Sequence, residues 1–232
     1  IGNSLDEYHG ELNFYQDGGI IINANGMKGI GIGSGLGGVI NIKRGHYEFD
    51  MKGQEGACIG SVNGDSELFI EYCDMDIYSG ISNGTIIGSV NGDADIKLEN
   101  ISAKLQGAGN VITGIGTIAG NSCMVRLENV NISSNIRAKE CYGIGCRAGR
   151  TDIYIGYAAV KSVVQGKSAV AFGNSVMSAK LYCSNADIGT NAVTEFNSDI
   201  GALEKNIQLE NGRAEFVLNG QEVKRQILAA RL

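Results

Sequence analysis

The 232-residue sequence has no proline, and its 35 glycines follow no three-residue period, which excludes a collagen-like chain. No run of 18 apolar residues occurs, so no segment has the length of a bilayer-spanning helix. Positive charge is short: 19 Lys and Arg stand against 25 Asp and Glu, a formal net charge of −6. A general nucleic-acid binder needs a basic footprint, and an anionic membrane surface finds no attraction here either. His9 and His46 are the only two histidines, and neither accompanies the Ser or Cys motif of a nucleophilic triad. The six cysteines (Cys58, Cys73, Cys123, Cys141, Cys146 and Cys183) form no CxxC pair and no ligand-like spacing with histidine, which argues against zinc. Most sit in apolar strand-like stretches and read as small buried residues. The glycines from Gly29 to Gly38 lack the lysine and helix that follow a phosphate loop. The flat threonine array of an ice-binding solenoid is missing too. No cofactor and no metal is implied.

What the sequence does contain is a period. Gly60, Gly88, Gly116, Gly145 and Gly173 follow one another at intervals of 28, 28, 29 and 28, and Gly33 lies 27 before Gly60. The flanking text repeats with them, as in GACIGSVNGDSELFIE and GTIIGSVNGDADIKLE. A fixed period in this range is the signature of a stacked repeat. Within one repeat Ile96 and Leu98 alternate with Asp95, Lys97 and Glu99, a strand with one buried face. Further short strands are expected around Ile101 to Leu105 and Val111 to Ile115, with no room for an ordinary helix. The repeated Val-Asn-Gly-Asp (Val62 to Asp65, Val90 to Asp93) reads as a turn rather than a calcium loop.

The expectation is an all-β chain: a single-stranded parallel β-helix of about seven coils over residues 1–200, right-handed by the crossover rule. Inward residues should stack coil on coil, from Leu12 and Phe14 through Ile96 and Leu98 to Leu181 and Cys183. Tyr72, Asn100, Asn129, Tyr157 and Asn185 form a second column where the chain must bend. Residues 201–232 break the period and read as a cap or a partner-binding segment. A hairpin is expected around Asn211-Gly212, then a short amphipathic helix after Asn219-Gly220.

The outward positions of the first strand give three further columns. The second holds Phe69, Lys97, Arg126, Tyr154 and Tyr182, and the third holds Glu71, Glu99 and Glu128. Rings interleaved with hydrogen-bonding charges suit a sugar, because rings cover apolar sugar faces and fixed polar groups orient hydroxyls. The same columns also read as an ordinary solvated face with cross-strand charge pairs. Stacked glutamates at rung spacing match the carboxylate separation of retaining glycosidases, a match that any stacked pair would give.

The motif GIGIGSGLGGVINIKRG, repeated with variations over about 180 residues, resembles the glycine-rich repeats of bacterial pectate-lyase-like β-helix proteins. That resemblance implies the fold and an association with carbohydrate, as binders, lyases or hydrolases. The chain departs from the enzymes in lacking long loop insertions and a calcium-binding aspartate cluster with a catalytic arginine. The function expected first is a non-catalytic module that binds a glycan on the first-strand face. The alternatives are an assembly or sensory domain, partnered by copies of itself or by fused domains, and a glycan-active enzyme. No signal peptide is visible, and a start at Ile1 without methionine suits an excised or processed fragment. Secretion or a bacterial surface location therefore stays open.

Overall fold

The alternating apolar residues of each repeat can be buried only if the next coil covers them. In the computed structural model they are, and the chain winds into a parallel β-solenoid of about seven turns with no helix among the described residues. Residues 1–2, 6–8, 10–175, 179–196 and 207–228 are described; His9 lies outside them. The strands are β1 (Glu11–Tyr15), β2 (Gly19–Ser34), β3 (Gly38–Ser61), β4 (Ser66–Ser89), β5 (Ala94–Glu99), β6 (Ser102–Thr117) and β7 (Ser122–Glu128). After them come β8 (Asn131–Cys146), β9 (Arg150–Gly156), β10 (Ala159–Gly173), β11 (Ala179–Phe196), β12 (Ile207–Leu218) and β13 (Gln221–Leu228).

The first strands stack in the order β1-β3-β4-β5-β7-β9-β11, with β12 beyond β11. Their register places Leu12, Ile40, Leu68, Ile96, Val125, Ile153, Leu181 and Ile207 in one column. Phe14, Ile42, Ile70, Leu98, Leu127, Ile155, Cys183 and Leu209 form the next inward column. From Ile40 to Leu181 the first column is fully buried, and each such aliphatic side chain contributes about 1.5–3 kcal/mol on leaving water. The expected second and third strands run together in β6 and β8, so the corner between them bends the ladder without ending it.

Two backbone devices turn the corners. Arg44, Tyr72, Asn100, Asn129, Tyr157, Asn185 and Asn211 all have left-handed φ, between 46° and 66°. Asparagine tolerates that geometry best, and its amide adds a ladder: Asn129 donates to Asn100 at 2.5 Å and Asn211 to Asn185 at 2.7 Å. The anchor glycines Gly33, Gly60, Gly88, Gly116 and Gly145 take φ of 132–136°, with each coil's carbonyl where the preceding coil's glycine would carry a Cβ.

The C-terminal segment corrects two expectations. Asn211-Gly212 is not a hairpin; it is another solenoid corner, and β12 pairs in parallel with β11 across it. The hairpin forms eight residues later, at Asn219-Gly220, and residues 221–228 are strand rather than helix. β13 runs antiparallel to β12, so the open edge of the last coil is covered by hydrogen bonds that an amphipathic helix would not supply. Residues 201–206 and 229–232 of the expected cap lie outside the described residues. No helix among the described residues is long and apolar enough to cross a membrane.

Candidate functional site

Because every coil presents its first strand to the same side, the outward columns are real surfaces. Asn13, Asn41, Phe69, Lys97, Arg126, Tyr154, Tyr182 and Gln208 align in one, and Tyr15, Lys43, Glu71, Glu99, Glu128, Gly156, Ser184 and Glu210 in the next. Toward the C-terminal end of this face lies an open cleft of about 690 Å³. Lys97, Glu99, Arg126, Glu128, Tyr154 and Tyr182 line it, which brings together six of the eight residues expected from the sequence. Phe69 and Glu71 belong to the same columns but not to the cleft. The depth comes from the third column, where long glutamates give way to Gly156 and Ser184.

Most charges here are already matched. Lys97 holds Glu99 at 2.7 Å, Lys43 holds Glu71 at 2.9 Å, and Arg126 reaches Asp95 at 2.6 Å while also contacting Met124 Sδ. The glutamate column is therefore not a bare array of carboxylates, since two of its three members carry their own lysine. Lys97 and Lys43 have pKa values raised by hydrogen bonds to those glutamates, so both remain cationic. Glu128 lies over Gly156, where an added Cβ would collide with its carboxylate.

Tyr154 and Tyr182 stack with centroids 4.9 Å apart and planes 6° from parallel. The facing surfaces of the pair cover each other. Arg126 and Gln208 stand on the rungs beyond the pair, so a ligand meets chiefly the hydroxyl-bearing edges, a narrower aromatic surface than separate rings would give. Beneath them Leu127, Ile155, Cys183 and Leu209 back the cleft. Burial pushes the Cys183 thiol up to about 12, so it presents no thiolate nucleophile at neutral pH.

Gln208 and Glu210 of β12 complete the lining and were not expected from the sequence. The signal was present: Ile207 and Leu209 keep the alternation, and Asn211 stands 26 residues after Asn185 in the corner column. Another groove, of about 480 Å³, lies on the second-strand face between Lys161 and Arg213 and has no aromatic lining. Among the described residues no group of three or more His, Cys, Asp or Glu could hold a metal ion. Comparison with protein-family models, curated proteins and solved structures finds no match to this chain.

Proposed function

We propose that the protein is a non-catalytic binding module that recognises carbohydrate in the first-strand cleft. The observation that carries this reading is the stacked Tyr154–Tyr182 pair beside a cleft where Glu128 reaches over Gly156 toward the small Ser184, ringed by hydrogen-bonding side chains. A pyranose has apolar C–H faces and a rim of hydroxyls, and this combination meets both. The side chains stand on paired strands, so little freedom is lost on binding. The likeness of the glycine motif to those of bacterial pectate-lyase-like β-helices supports the same reading. Against catalysis stand the lysine partners of Glu71 and Glu99, which leave no adjacent pair of unengaged carboxylates in the stack. A glycan array should give a defined set of ligands, and the Tyr154→Ala/Tyr182→Ala double variant should lose at least tenfold in affinity for them. Unchanged binding by the double variant would remove the site.

A further inference from the structure

The cleft's charges are not balanced. Its two cations are each engaged by a carboxylate of the chain, Lys97 with Glu99 at 2.7 Å and Arg126 with Asp95 at 2.6 Å. The Asp95 contact draws the guanidinium toward the outward column of Glu67, Asp95 and Met124, away from the glutamate column. Glu128 and Glu210, by contrast, have no cationic partner among the described residues, and both are exposed at the cleft. They sit on β7 and β12, three rungs apart; Glu128 reaches over Gly156 on β9, and the small Ser184 on β11 lies between its carboxylate and Glu210. Rung spacing puts their backbones roughly 14 Å apart along the solenoid axis. Tyr154 and Tyr182 occupy the two rungs between them, one column over. A ligand lying along the axis in this cleft therefore meets the aromatic rings and Ser184 between two carboxylates, that of Glu128 over Gly156 and that of Glu210, neither with a cationic partner among the described residues.

Resting on the carbohydrate reading above, we infer that the cleft selects oligosaccharides bearing free, protonated amino groups, with Glu128 and Glu210 as the residues that set this specificity. An ammonium on the sugar would supply the cation that each glutamate lacks among the described residues, in a charge-assisted hydrogen bond. A polyuronate meets the opposite situation: its carboxylates would face two unpaired glutamates, and the nearby lysine and arginine are already committed. The cleft thus discriminates by repulsion as much as by attraction.

The test is calorimetric titration of the whole chain at pH 6 with three probes of matched length: glucosamine oligomers, their N-acetylated counterparts and oligogalacturonate. The glucosamine oligomer should bind at least tenfold more tightly than the acetylated one, and oligogalacturonate more weakly than either. The Glu128→Gln/Glu210→Gln variant should bring the first two to parity, by a loss of at least tenfold in affinity for the glucosamine oligomer. Glu67→Gln/Asp74→Asn, an equal charge change outside the cleft, should alter nothing. Equal affinities in the parent protein, tight binding of oligogalacturonate, or the same loss in both charge variants would overturn the inference. In any of these cases the carbohydrate reading survives if Tyr154→Ala/Tyr182→Ala still weakens binding. No binding of any probe overturns the inference and, with a blank array, that reading too.

Discussion

At the scale of single residues the fold depends on positions where the backbone leaves the usual L-residue regions. Gly88 has φ +135°, and a Cβ there would collide with the carbonyl oxygen of Gly116 in the next coil. Neither atom can move without breaking the ladder. Gly88→Ala should therefore cost more than about 3 kcal/mol, through a conformation almost closed to alanine and a clash with backbone. Gly189 is the control: nothing lies within 4 Å of an added Cβ, and Gly189→Ala should stay within about 1 kcal/mol of the parent, on the stabilising side. Urea unfolding midpoints read both, and equal midpoints for the two variants would refute the column argument. These glycines were legible as a period. The corner column was legible only in part, because Arg44 does not advertise left-handed geometry and Tyr72 and Tyr157 carry it against their preference, with φ of 57° and 46°. Their neighbours above and below dictate the bend, so tertiary context overrides the residue type.

At the scale of elements, alternation sufficed for the first strands from β1 to β11, because a half-buried strand must point every second side chain inward. It failed at the C-terminal end for two reasons. The corner interval shortened to 26 residues between Asn185 and Asn211, which hid another coil inside an apparent cap. Asn-Gly also occurs twice between residues 207 and 228, and local turn chemistry cannot tell a solenoid corner from a hairpin; only pairing partners can. The hairpin at Asn219 (φ 49°) and Gly220 (φ 80°) is held from outside, since Asn219 accepts from the Thr194 amide at 2.9 Å and donates to the Thr194 carbonyl at 3.1 Å. Asn219→Ala removes both bonds and puts alanine at positive φ, a combined loss of about 2 kcal/mol. Hydrogen exchange should accelerate at the β13 amides while those of β5 stay protected. Unchanged protection of β13 would mean that its cover over β12 does not depend on this clamp. The same end of the chain decides the site: without β12 correctly placed, Gln208 and Glu210 fall out of the cleft, which is why sequence columns alone found its aromatic and basic side but not its far wall.

At the scale of the whole molecule, the main core among the described residues is a continuous stack of apolar side chains, with a small separate cluster of Val62, Val90 and Ile118, and six thiols are built into the main core, all free and all buried. Burial pushes Cys58, Cys73 and Cys183 up to about 12 and Cys141 and Cys146 up to about 11, with Cys123 also well above its ordinary value. Below about pH 8 the folded and unfolded states both largely keep these protons, and the thiols have little effect on stability. Above it the unfolded chain ionises while the folded chain cannot, so the unfolded state binds fewer protons and stability falls as pH rises. A fully buried thiol such as Cys58 contributes a slope of about 1.4 kcal/mol per pH unit in that window. Several such groups acting together are enough to exhaust a typical stability of about 5–15 kcal/mol. Urea midpoints should therefore be nearly flat from pH 7 to about 8 and then fall with increasing slope, with cooperative unfolding before pH 11. In Cys58→Ala the alkaline slope should shrink by about one proton even though the cavity lowers stability at pH 7. A midpoint that holds steady through pH 10.5 would mean the coils open enough to solvate their thiolates, and the tightly stacked core described above would not be the state in solution.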